Sequence, residues 1–171
     1  FYWRVRALDE QGGPIGVWSD AQPFLTDPDT PYTVAVLGDS ISHGGGSVSY
    51  SPADWDFSYL SYLDFPAVNL AQSGDTSTMT KDRFDADVLP FRPKYLLILM
   101  GSNSLRNGLG ADVVISDMEE VRKKSLKHGI RPVFLTVPPV NPDNIKRTFD
   151  DETAPDWQWQ IGRVNRYIRS Q

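Results

Sequence analysis

The chain has 171 residues and a mass of 19.2 kDa, is 40% hydrophobic, 12% aromatic and 23% charged, and so suits one ordinary domain with a buried core rather than a disordered segment. Its 17 Lys and Arg against 22 Asp and Glu give a formal net charge of -5, which argues against a nucleic-acid binder with its basic stripe. The longest apolar run, around Leu96 to Met100, falls far short of the ~20 residues a membrane helix needs, and the absence of cysteine excludes disulfides, thiolate metal sites and cysteine nucleophiles together.

At the N-terminus Phe1, Trp3, Val5 and Ala7 alternate with Tyr2, Arg4, Arg6 and Leu8, the period of a half-buried strand. Asp9 to Pro14 has the Gly, Asp and Pro of a hairpin connection, and Trp18 to Thr26 reads as the returning strand. The run Phe1-Tyr2-Trp3-Arg4-Val5-Arg6-Ala7, followed by Trp18-Ser19, resembles the last two strands of a fibronectin type III domain. That resemblance implies a first domain over 1–26 and a secreted, periplasmic or cell-surface location. A lone hairpin is marginal in water, so it is expected to be a loosely attached arm or to pack opportunistically. The sequence opens on Phe1 in mid-pattern with no visible signal peptide, and is expected to be a piece of a longer protein. Asp27 to Pro31, with two prolines in five residues, predicts a linker.

From Tyr32 the pattern alternates. Val34–Leu37, Ala67–Leu70, Leu96–Met100 and Val133–Val137 are short apolar runs of the kind that form buried parallel strands. Thr80, Phe84 and Val88 make one helical stripe between them. Val114, Met118, Val121 and Ser125 make a second, closed by Gly129, and Trp157, Ile161, Val164 and Ile168 a third. Strands alternating with helices predict an α/β fold with a parallel sheet and helices on both faces. No repeat or low-complexity segment interrupts residues 32–171.

In such folds ligands bind beyond the carboxyl ends of the strands. There the sequence reads Gly38-Asp39-Ser40-Ile41-Ser42-His43-Gly44-Gly45-Gly46, then Ala71-Gln72-Ser73-Gly74-Asp75, then Gly101-Ser102-Asn103-Ser104, then Pro138-Pro139-Val140-Asn141. One loop offers a hydroxyl, one a glycine amide and one a side-chain amide, the parts of an acyl-transfer site. No Lys follows the glycines as a phosphate-binding P-loop requires, and neither the dinucleotide fingerprint nor the G-x-S-x-G elbow is present. The two histidines lie in no metal-ligand spacing.

Gly38-Asp39-Ser40-Ile41 closing a strand, then Asn69-Leu70-Ala71-Gln72-Ser73-Gly74-Asp75, then Gly101-Ser102-Asn103, resemble the first three blocks of the SGNH/GDSL hydrolases. The resemblance runs from about Tyr32 to Gln171. It implies a flavodoxin-like three-layer α/β/α fold and an ester hydrolase that needs no cofactor and no metal. Its substrate would be a small-molecule or polysaccharide ester, with acetyl esters of carbohydrates as one candidate. Ser40 resembles the nucleophile. The Ser40 and Gly74 amides and the Asn103 side chain resemble the oxyanion hole. Asp39 resembles the motif aspartate, read as a loop organiser, with Gly38 and Gly101 supporting the site.

Two departures stand out. The third block usually ends in Asp, and this chain has Ser104, with a modest effect expected on loop bonding. The family's base and its orienting aspartate belong to a late Asp-x-x-His motif that these 171 residues do not contain, so the triad His and Asp are not in this chain. His43, three residues after Ser40, is read as a site-rim or structural histidine. His128 is read as a surface residue compensating a helix dipole, Trp159 as exposed or covered by further sequence, and Asp150-Asp151-Glu152 as solvated loop. Plain structural roles compete for the rest: Ser40 as a helix cap, Asn103 as a turn residue, Gly74 as a steric necessity of a tight turn. The rival to an enzyme is a non-catalytic carbohydrate-binding or structural module. Oligomeric state is left open by the sequence.

Overall fold

The computed structural model describes residues 2–20, 22–23, 32–44, 59–65 and 67–171. The chain divides into two compact units, Phe1–Thr30 and Pro31–Gln171. Phe1, the linker 27–31 and Gly45–Gly46 lie outside the described residues, as does the side chain of Trp3.

In the first unit the alternating segment is not one strand but two. β1 (Tyr2–Trp3) pairs antiparallel with β4 (Gln22–Pro23), and β2 (Ala7–Leu8) with β3 (Pro14–Ile15). Ser19 explains the interruption. Its hydroxyl accepts the Val5 N–H at 3.0 Å and its own N–H donates to the Val5 carbonyl at 2.9 Å. A side chain thus stands in for one ladder bond. Trp18 therefore sits outside the strands, with the Arg4 and Arg6 guanidiniums 4.5 and 5.7 Å from its ring centroid.

The second unit is built on four parallel strands, β5 (Val34–Gly38), β6 (Ala67–Asn69), β7 (Tyr95–Leu99) and β8 (Arg131–Phe134), in the order β6-β5-β7-β8. β5 is buried along its whole length, as its uninterrupted apolar sequence requires of a strand covered on both faces. Ala35, Leu37, Leu96 and Ile98 point into the larger core, with Phe84, Val88, Val114, Met118, Val121, Ile161 and Val164 from the helices. Val34, Val36 and Leu97 point the other way, onto Leu60 in a 3-10 turn, Tyr59–Tyr62. Each large side chain so buried stabilises the fold by about 1.5–3 kcal/mol.

The predicted stripes face the core, Trp157 and Ile168 of the third being partly buried, but the first is not one helix. α2 (Ser77–Asp82) and α3 (Phe84–Asp87) are separated at Arg83, and a 3-10 turn at Leu89–Phe91 follows. Pro90, which has no N–H to donate, prevents α3 from continuing. α5 (Ala111–Lys127) and α7 (Trp157–Arg169) carry the other two stripes. β8 stops at Phe134, short of the predicted Val137. Asn165 on α7 takes over the Val137 backbone there, its Oδ1 accepting the N–H at 2.8 Å and its Nδ2 donating to the carbonyl at 2.9 Å. α1 (Ser40–His43), α4 (Ser102–Arg106) and α6 (Pro142–Phe149) complete the unit.

Candidate active site

The chain leaves β5 toward β6 on one side and returns to β7 on the other, so the carboxyl ends of β5 and β7 flank a topological switch point, where open α/β sheets bind ligands. The two strands approach so closely that a Cβ on Gly38 would lie 2.4 Å from the Leu99 carbonyl oxygen. Only glycine fits. Gly101 answers to the same logic after β7, with φ of +104° and Val114 Cγ1 2.7 Å from where a Cβ would sit.

Beyond Gly38 the backbone turns at once into α1. Asp39 is its N-cap, accepting the Ile41 N–H on Oδ1 at 3.0 Å. Ser40 is the first helical residue. Asp39 is fully buried and its Oδ2 has no partner among the described residues. Burial raises its pKa from 3.8 to about 6, against the Ile41 bond and the positive charge of Arg106, while the charge of Asp75 pushes it further up.

The loop after β6 is laid against this turn. Asn69 donates to the His43 carbonyl at 3.0 Å, the Gln72 N–H donates to the Gly38 carbonyl at 2.9 Å, and Gly74 turns with φ of +88°. Arg83 ties the two strand ends together. It donates to the Leu70 and Gly38 carbonyls and pairs with Asp75 at 2.6 Å and Asp87 at 2.8 Å. From β7, Asn103 on α4 reaches the Asp75 carbonyl through Nδ2 at 2.9 Å. Ser104 is fully buried. It accepts the Ser77 N–H at 2.8 Å and donates to Ser77 Oγ, which in turn donates to Asp117 Oδ2 at 2.7 Å. A carboxylate thus lies two hydroxyls from position 104, supplied by α5.

Ser40, Gly74 and Asn103 border one cleft of about 310 Å³. Ser102, Arg106, Asn141 and Asn144 add polar groups to it, and Val140, Ile145 and Phe149 an apolar wall. Neither the Ser40 nor the Gly74 N–H donates a bond among the described residues. A hydroxyl and amide donors bordering one cleft are the groups that acyl transfer asks of a site. Among the described residues no histidine lines it. The His43 ring lies 3.5 Å from Ser73 Oγ beside a different cavity, and His128 is the exposed C-cap of α5. No cluster of metal-ligating side chains occurs among the described residues.

Residues 150–152 lie in loop as read, with the Asp151 side chain 46% exposed, but Asp151 has a further contact that the sequence did not show. Asp151 pairs with Arg106 at 2.6 Å, although Asp150 and Glu152 do reach only the exposed Lys146. Trp159 is 59% exposed and stacks on the Arg163 guanidinium. Arg83, Arg106 and α6 were not expected from the sequence. For α6 a signal existed: Asn141 caps it and Pro142 occupies its first turn, the start signature of a helix. The two arginines carry none, because their partners are remote in sequence.

Residues 36–170 match the model of the GDSL-like Lipase/Acylhydrolase family. No curated protein matches the sequence. Among solved structures the chain is similar to a GDSL-like lipase from Bacteroides thetaiotaomicron, with 20% identity over 80% of this chain and a TM-score of 0.60. It spans 62% of that protein's length. A lipase/acylhydrolase from Enterococcus faecalis is 17% identical over 81% of this chain and 71% of its own, with a TM-score of 0.64. A variant of an acetyl-xylooligosaccharide esterase from Geobacillus Stearmophilus is 19% identical over 80% and 71%, with a TM-score of 0.55. At these identities the structural likeness carries the fold alone.

Proposed function

The chain belongs to the GDSL-like lipase/acylhydrolase family, and on that premise we propose that Ser40 is the nucleophile of a two-step ester hydrolysis. The observation that carries the reading is the single cleft shared by Ser40, Gly74 and Asn103 at the switch point of the sheet. Ser40 Oγ bonds to the ester carbonyl carbon, and the carbonyl oxygen becomes an oxyanion held by the Ser40 and Gly74 N–H groups and Asn103 Nδ2. The serine proton passes to a general base and on to the leaving alcohol. Water then releases the acyl group by the same route. Asn141, Asn144 and Ser102 at the cleft favour a hydroxyl-rich alcohol, and an acetylated carbohydrate is the substrate class we assign. One structural relative is itself named an acetyl-xylooligosaccharide esterase. The fibronectin-like resemblance of the first unit supports an extracytoplasmic setting.

The test is hydrolysis of p-nitrophenyl acetate and of an acetylated xylo-oligosaccharide by the full-length protein and its Ser40→Ala variant. The variant is expected to lose on the order of 10⁶ in turnover, the scale of nucleophile loss in an unrelated serine hydrolase. Unchanged turnover in Ser40→Ala overturns the assignment. The same polar rim of Ser102, Asn141 and Asn144 also suits a second reading, a carbohydrate-binding module without turnover. Saturable binding of the oligosaccharide with no hydrolysis by the full-length protein would select it.

A further inference from the structure

Arg106 ends α4 three residues after Asn103, and its side chain is 17% exposed. It is held from several sides by the end of α6 and the segment that joins α6 to α7. Asp151 takes its Nη1–H at 2.6 Å, the Phe149 ring centroid lies 5.9 Å from its guanidinium carbon, and the Ala154 N–H donates to its carbonyl at 2.7 Å. Its Nε–H donates to Asn103 Oδ1 at 3.2 Å.

We propose that Arg106 is a positioning residue for Asn103, setting which end of the carboxamide the cleft sees. The rotation of an amide side chain is decided by its bonding network, and here both partners are unambiguous. A guanidinium only donates, so the atom facing Arg106 Nε must be the oxygen. A backbone carbonyl only accepts, so the atom 2.9 Å from the Asp75 oxygen must be the nitrogen. Turned over, the carboxamide would set donor against donor at Arg106 and acceptor against acceptor at Asp75. It would also offer an oxygen where an oxyanion forms. In the orientation observed, one Nδ2 hydrogen is spent on Asp75 and the other has no partner among the described residues. The guanidinium charge at Oδ1 also draws electron density from the amide and strengthens its remaining N–H as a donor. Asp151 fixes the guanidinium in this pose, which gives that one residue of the acidic run a role at the site.

The inference rests on the proposed oxyanion role of Asn103, and the test separates the two. In the full-length protein with p-nitrophenyl acetate, Asn103→Ala is expected to lower kcat roughly 10²–10³-fold. Arg106→Met is expected to lower it about 10–100-fold at nearly unchanged KM, and Arg106→Lys, which keeps the charge and one donor, to recover part of that loss. Because Arg106 acts through Asn103, the double variant should be no slower than Asn103→Ala within about twofold. Losses that multiply in the double variant, or a loss confined to KM, overturn the proposal. If Asn103→Ala leaves kcat unchanged, the oxyanion reading fails instead. The positioning claim is then read from the Asn103 side-chain amide resonances of the 15N-labelled chain. Arg106→Met should shift these and speed their hydrogen exchange, and Ser40→Ala should do neither. Resonances indifferent to Arg106→Met overturn it.

Discussion

The substitution Asp39→Asn changes the pH dependence of stability, and the sign follows from burial. The Asp39 carboxyl is fully buried with Oδ2 unpartnered among the described residues, and its pKa rises from 3.8 to about 6 on folding. Below the lower value both states hold the proton. Between the two values the unfolded chain ionises first and the folded chain retains its proton, so unfolding becomes easier as pH rises. Above about pH 7 both states are ionised and the loss is complete. The displacement corresponds to about 3 kcal/mol, fully present at low pH and lost through that window. The replacing carboxamide keeps the Oδ1 acceptor for the Ile41 N–H and has nothing to ionise. The amide nitrogen it places at the Oδ2 position costs a constant amount at every pH. Urea unfolding followed by circular dichroism, on both proteins from about pH 4.5 to 8, reads the difference directly. Every other carboxylate is common to the two proteins, so its titration cancels to first order. The wild-type advantage should shrink by about 2 kcal/mol across this range, with most of the change between pH 4.5 and 6. Parallel stability curves, or an advantage that grows with pH, would refute the reasoning.

Arg83→Met should destabilise the chain by about 3–5 kcal/mol in urea unfolding, since it leaves the Asp75 carboxylate, 5% exposed, without its ionic partner. A cost below about 1 kcal/mol would show that Asp75 does not need it. Ser104→Ala strands the Ser77 N–H at the start of α2 and should cost about 1–3 kcal/mol by the same measurement. Gly38→Ala forces a Cβ against the Leu99 carbonyl and must move β5 from β7. We expect a loss of about 1–3 kcal/mol or more together with lowered esterase activity in the full-length protein. A variant with normal stability and turnover would show that the strands part at no cost.

The local features of the site were legible in the sequence because each rests on near neighbours. Short apolar runs ending in small residues marked β5 and β7, since a strand covered on both faces must be apolar throughout, and a shorter run marked β6, half-buried at the edge of the sheet. Gly38 and Gly101 stand where a side chain would strike Leu99 and Val114, and Asp39 two residues before Ile41 is a capping arrangement any helix start can use. The blocks that hold Ser40, Gly74 and Asn103 could therefore be read in order along the chain. What brings them to one cleft is the order β6-β5-β7-β8, and strand order is a property of crossovers rather than of any single segment. The same holds for the groups that brace the cleft. Arg106 meets Asp151 across 45 residues, Arg83 meets the Gly38 carbonyl across 45, and Asn165 meets Val137 across 28. The N-terminus of α5, whose own cap is Gly110, is closed by Gln160 from 49 residues away. An arginine or asparagine on a helix carries no mark of a partner so distant. Its partner is chosen only when the packed sheet and helices remove both from water and leave each polar group one place to bond.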